Sequence, residues 1–147
     1  MINIGNKNIE LLIDEIKKVK YISSITETNH NRIVAEYKFN NNVTKKNIIS
    51  LLNIDTQKYK VLDTLHIIEY EKNSFLSEHI DGGHMLLMVM LEDNFEGGEL
   101  ILEGIDTNFK SKGDVIYIDG SKSHYLKKIT KGKRKIMIID LKSNSII

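Results

Sequence analysis

Residues 61–91, VLDTLHIIEYEKNSFLSEHIDGGHMLLMVML, contain two runs rich in β-branched, aromatic and aliphatic residues, separated by a polar stretch that carries His79 and Asp81. Runs of this length, broken by Gly, Asn and Lys, are strand signals rather than helix signals. Downstream the same character continues in GELIL (98–102), DVIYID (114–119) and RKIMIIDL (134–141). From about Tyr59 onward, then, the chain reads as a succession of short strands, which predicts a sandwich or barrel.

Upstream the reading changes. From Asn8 to about Lys20, Ile9, Leu12, Ile13, Ile16 and Val19 recur at helical spacing, which predicts one amphipathic helix. A polar stretch, SSITETNHN, separates it from RIVAEYKF at 32–39, which reads as a strand. A second helix is predicted to start near an N-cap at Thr44 and to run through Ile48, Ile49, Leu51 and Leu52. At 147 residues the chain has the size of one domain, expected as a helical buttress over 1–58 and a β unit over 59–147.

Composition narrows the chemistry. With 21 Lys+Arg against 20 Asp+Glu the net charge is +1, so nucleic-acid binding driven by bulk phosphate attraction is not expected. Without cysteine there is no disulfide, thiolate metal site or thiol nucleophile, and any metal must be held by nitrogen and oxygen. No apolar run approaches the ~20 residues of a membrane span, so no membrane role is expected and a cytoplasmic location is the default.

In a strand, residues i and i+2 share a face, so His79 and Asp81 would converge while Ile80 faces away. H-x-D alone is common by chance. His124, following DVIYID after the loop GSKS, can bring a third ligand from a later strand. Two histidines and one carboxylate leave three octahedral positions open, the arrangement of non-haem Fe(II) oxygenases. Arg134 opens the strand RKIMIIDL, where alternation puts it on the face of Ile136 and Ile138, an odd place for a guanidinium unless an anion meets it. The competing reading makes it a surface cation in the lysine-rich KKITKGKRK (127–135). His84 is a rival third nitrogen, read instead as a surface or substrate-facing residue. His30 and His66 read as ordinary polar residues.

Taken together, the stretch from Tyr70 to Leu141 resembles the catalytic core of the 2-oxoglutarate/Fe(II) dioxygenases, nearest to the prolyl 4-hydroxylase-like branch. The resemblance rests on Tyr70 nine residues before His79 in YEKNSFLSEHID, the turn Gly97-Gly98-Glu99-Leu100, Gly113-Asp114 before VIYI, His124, and Gly132-Lys133-Arg134. It implies a mainly β fold, a double-stranded β-helix or cupin-like jelly roll with N-terminal helices packed on one sheet. It further implies an enzyme with His79, Asp81 and His124 as iron ligands and catalytic centre, and with Arg134 and Tyr70 holding 2-oxoglutarate. Fe(II), 2-oxoglutarate and O2 would be its cofactors and cosubstrates, with ascorbate as an auxiliary reductant. The implied reaction is hydroxylation of an unactivated C–H in a small-molecule, peptide or protein substrate, such as a peptidyl or free proline.

Two other functions stay open at this point. One is a jelly-roll module that binds metal or a small acid without turnover; all five residues from Leu86 to Met90 are apolar, so that strand offers no second polar contact to the cosubstrate. The other is nucleic-acid dealkylation by the same iron chemistry, against which position 140 stands, where a second arginine would be expected and Asp140 is found.

Overall fold

A computed structural model describes residues 1–144, so the last three residues of the expected 59–147 unit lie outside the described residues. In chain order the elements are β1 (Ile2–Asn3), α1 (Gly5–Ile16), β2 (Lys20–Glu27), a 3-10 turn (Thr28–His30), β3 (Arg32–Lys38), α2 (Asn42–Leu51), β4 (Tyr59–Tyr70), β5 (Leu76–His79), β6 (Met85–Glu92), β7 (Phe95–Gly97), β8 (Leu100–Leu102), β9 (Ile105–Asp106), β10 (Asp114–Asp119), β11 (His124–Leu126), β12 (Ile129–Gly132) and β13 (Arg134–Ser143). Seven strands form an antiparallel sheet in the order β1-β10-β6-β13-β4-β3-β2, and four form a smaller sheet, β5-β11-β8-β9. A short β12-β7 pair completes the set. From β4 onward the chain passes back and forth between the large sheet and the smaller ones, which is the winding of a double-stranded β-helix, the jelly roll expected from the sequence.

Strand alternation divides the interior into two cores. On β6, Leu87, Val89 and Leu91 pack with Ile9 and Leu12 of α1 and Ile48 of α2, whereas Leu86, Met88 and Met90 face into the jelly roll. Strand β13 does the same, sending Met137, Ile139 and Leu141 to the helices and Ile136 inward. Central strands buried on both faces read as continuous apolar runs for this reason. The helices thus cover one face of the large sheet and leave its other face to line the interior of the roll.

Three local expectations need correction. Helix α1 covers Gly5–Ile16 rather than Asn8–Lys20, because the segment before it is tied down early: the Ile4 N–H donates to Gly113 O at 3.0 Å and β1 pairs with β10. Helix α2 is capped by Asn41, not Thr44; the Asn41 side-chain oxygen accepts from the N–H groups of Val43 (2.9 Å) and Thr44 (3.2 Å), and Thr44 itself is buried in the first turn. The polar stretch after α1 is largely strand β2, so residues 1–58 supply three strands of the large sheet as well as the helices. Strand β2 is exposed along nearly its whole length at the sheet edge, and a strand that buries neither face carries no hydrophobic periodicity to read.

Among the described residues, no helix is long and apolar enough to cross a membrane.

Candidate metal centre and anion pocket

His79 closes β5 and His124 opens β11, and the two are direct cross-strand partners in the antiparallel pair. That register sets the imidazoles side by side, with ring centroids 4.3 Å apart. Asp81 lies two residues beyond His79, past the end of β5 rather than within a strand as the sequence suggested. Its backbone is nonetheless fixed, because the Asp81 N–H donates to Gly120 O at 2.8 Å, in the turn after β10. Ile80 between His79 and Asp81 is exposed.

The hydrogen bonds decide which nitrogens are free. His79 Nδ1 lies 2.7 Å from Ser77 O, and His124 Nδ1 lies 2.9 Å from Lys122 O. A carbonyl only accepts, so each Nδ1 carries the proton and donates it. In the neutral rings both Nε2 atoms then present lone pairs. Both aim at Asp81: His124 Nε2 is 2.8 Å from Oδ2 and His79 Nε2 is 3.4 Å from Oδ1. One ligand atom from each of the three residues falls within 4.8 Å of the others. Neutral imidazole nitrogens converging on a carboxylate are mutually repulsive unless a cation joins them. Nδ1–H groups anchored on backbone oxygens are the usual outer support of histidine metal ligands. The donor set therefore fits a divalent metal of the nitrogen- and oxygen-loving kind.

Gly120 holds this loop shut. Its N–H donates to His84 O at 2.9 Å, and a Cβ added at 120 would lie 2.7 Å from both Gly82 O and His84 O and 3.7 Å from the Asp81 Cβ. Those close neighbours are backbone, so they cannot rotate away. Gly120→Ala should push the 81–84 loop off β10 and weaken Fe(II) affinity at least tenfold, checked by metal titration alongside a melting curve. Unchanged affinity would show that Asp81 does not depend on this contact.

Arg134, the first residue of β13, is 1% exposed, which removes the reading of it as a surface cation. Lys127, Lys128, Lys131 and Lys133 around it are exposed, so only the arginine in that basic run turns inward. Its cross-strand partner on β4 is Tyr70, whose partner on β3 is Arg32. The Arg134 guanidinium carbon sits 4.9 Å from the Tyr70 ring centre and 5.6 Å from that of Phe109, so aromatic faces partly replace its lost water. Arg32, over the Tyr70 ring at 5.9 Å, is neutralised by Glu27 through bonds of 2.7 and 3.2 Å. Arg134 has no carboxylate partner among the described residues, and its Nε is buried without an acceptor. Burial pulls its pKa below the ordinary arginine value, with the Tyr70 hydroxyl opposing. An always-charged group held this way awaits an anion.

The three-residue cluster and Arg134 line one cavity of about 570 Å3. All five histidines of the chain line it. His84 is exposed there and stays outside the metal cluster. His30 and His66, read from sequence as ordinary, face the same space, with His66 Nε2 3.9 Å from Glu36. Arg32, Tyr125 and Asp140 also line it and were not singled out as site residues from the sequence. For Asp140 the signal was available, since it shares the strand parity of Arg134, Ile136 and Ile138.

No protein-family profile and no curated protein matches the sequence. Solved structures do match. A 2OG-Fe(II) oxygenase family oxidoreductase from Burkholderia pseudomallei aligns with a TM-score of 0.66 at 16% identity, over 90% of this chain and 77% of that one. The viral collagen prolyl hydroxylase of Paramecium bursaria Chlorella virus-1, solved with 2OG, aligns with a TM-score of 0.65 at 18% identity, over 99% of this chain and 94% of that one. A Pseudomonas putida prolyl-4-hydroxylase aligns at 0.61 and 12% identity, over 99% and 91%. At these identities the likeness establishes a shared fold.

Proposed function

We propose that the chain is an Fe(II)- and 2-oxoglutarate-dependent oxygenase, whose 147 residues act as one domain and hydroxylate an unactivated C–H. The observation that carries this reading is the pairing, in one cavity, of a two-histidine, one-carboxylate cluster with a fully buried arginine that lacks a counter-ion. His79, Asp81 and His124 would hold iron, and Arg134 would pair with the far carboxylate of 2-oxoglutarate through its planar fork. Iron so bound would supply the activation of O2, coupled to oxidative decarboxylation of 2-oxoglutarate to succinate and CO2, with one oxygen atom going to succinate and the other to the substrate hydroxyl.

The chain's own residues do the placing. Ser77 O and Lys122 O keep each Nδ1 protonated and each Nε2 available. Tyr70, buried against the guanidinium, fixes the fork's plane and offers a hydroxyl beside the carboxylate site. Leu86, Met88, Ile136 and Ile138 keep the intervening wall apolar, which strengthens the arginine's attraction for an anion. The apolar β6 wall favours one rival, a jelly roll that binds metal and a small acid without turnover. The fold shared with proteins named as prolyl hydroxylases supports an amino acid substrate, peptidyl or free, with proline the first to try.

Anaerobic addition of Fe(II) and then 2-oxoglutarate should produce a metal-to-ligand absorption band, and admission of air with a substrate should yield succinate. A band without succinate under any substrate would favour the binding module. Absence of the band would overturn the oxygenase reading.

A further inference from the structure

The inward residues of β13 run Arg134, Ile136, Ile138 and Asp140, so one strand face begins with a cation and ends with an anion. At about 3.3 Å per residue the two ends are roughly 20 Å apart, more than a five-carbon diacid anchored on Arg134 can span. The Arg134 end is closed by Tyr70 and Phe109, both buried. The Asp140 end lies on the metal side: its partner across the sheet is Leu86, which follows directly on the 81–85 segment bearing Asp81 and the exposed His84. Substrate entering past the metal therefore meets Asp140 rather than Arg134.

Charge at this end is uncompensated in one sign. Asp140 is half-buried and has no hydrogen-bond or ion-pair partner among the described residues. Of the cavity side chains near it, His66, the cross-strand partner of Ile138, has Glu36 at 3.9 Å, whereas Arg32 lies at the Arg134 end and is paired with Glu27. Glu78 of β5 is exposed and also lines the cavity. No lysine lines the cavity, although the chain has 21 Lys+Arg, and Lys142, next along the same strand face, is exposed and forms no ion pair with Asp140. A carboxylate beside an apolar strip of Ile138 and Met88 suits a ligand with a protonated nitrogen at one end and methylenes behind it.

Resting on the oxygenase reading above, we propose that Asp140 selects a substrate bearing a protonated amine, received as a charge-assisted hydrogen bond on the mouth side of the metal. The amine can be the α-ammonium of a free amino acid or the ammonium of a basic side chain. Three probes separate these sources: N-acetyl-L-lysine amide has only the side-chain ammonium, L-norleucine amide has only the α-ammonium, and N-acetyl-L-norleucine amide has neither. Calorimetric titration of the full chain loaded with Ni(II) and 2-oxoglutarate should show one of the two cationic probes binding at least tenfold more tightly than the neutral one. Asp140→Asn and Asp140→Ser should each erase that preference while leaving the Ni(II) and 2-oxoglutarate isotherms as they were. Equal binding of all three probes, no binding of either cation, or a preference that survives both substitutions would overturn the assignment. Failure of the unaltered protein to take up Ni(II) or 2-oxoglutarate would be read separately, in the loading steps, and would remove the oxygenase reading together with this one.

Discussion

Asp81→Ala should eliminate Fe(II) binding at ordinary metal concentrations while leaving the protein folded. Replacing an outer-shell group that only orients a ligand costs 10- to 100-fold in metal affinity, and a coordinating carboxylate set between two imidazoles should cost more than that. The fold has little stake in this residue. Asp81 is exposed, and its bond to Gly120 runs through the backbone N–H, which alanine retains. Surface changes of this kind usually move stability by less than about 0.5 kcal/mol. A melting curve and a metal titration on the same sample make the check. Loss of metal binding at an unchanged melting temperature is the expected pair, and retained binding would show that the cluster is not the metal site.

Arg134→Met should do the reverse to stability. In the diacid-free protein it removes a cation whose burial is opposed only by two aromatic faces and a phenol. Apolar replacement of buried charged groups is often neutral or stabilising, by about 1–4 kcal/mol. Methionine fills an irregular space of similar length. The melting temperature without 2-oxoglutarate should therefore hold or rise. Losing one partner of a buried charge pair costs about 2–5 kcal/mol of binding, so 2-oxoglutarate affinity should fall at least about thirtyfold. Fe(II) affinity should be retained, since Arg134 is no part of the cluster. A marked drop in melting temperature would mean instead that the guanidinium is a structural element with a partner inside the protein.

What the sequence could reveal followed from how strongly each residue's neighbours constrain it. His79, Asp81 and His124 were readable because their spacing, order and residue types are jointly demanded by a metal and rarely arise otherwise. Arg134 was readable because strand parity forces a charge among Ile136 and Ile138. Parity also governs Asp140, but a carboxylate near a strand end is so often solvated that the sequence marks it only as the place of a missing second arginine, not as a cavity residue. His30 and Arg32 come to the cavity through the pairing of β3 with β4, a long-range register carried by no local pattern, whereas His66 shares the strand parity of Ile68 and Tyr70 on β4. Strand β2 escaped for a related reason, as its residues have solvent on both sides. The cap of α2 was misplaced because Asn41 and Thr44 are both good capping types, and only the backbone conformation at Asn41 chooses between them.

The Nδ1 atoms of His79 and His124 are each held by the main-chain oxygen of the residue two positions earlier, Ser77 and Lys122, while their Nε2 atoms face Asp81. Ring orientation is therefore inherited with the path of the backbone. Ser77 and Lys122 can be exchanged for other residues without loosening either ring, so the centre tolerates wide drift of the amino acids around it.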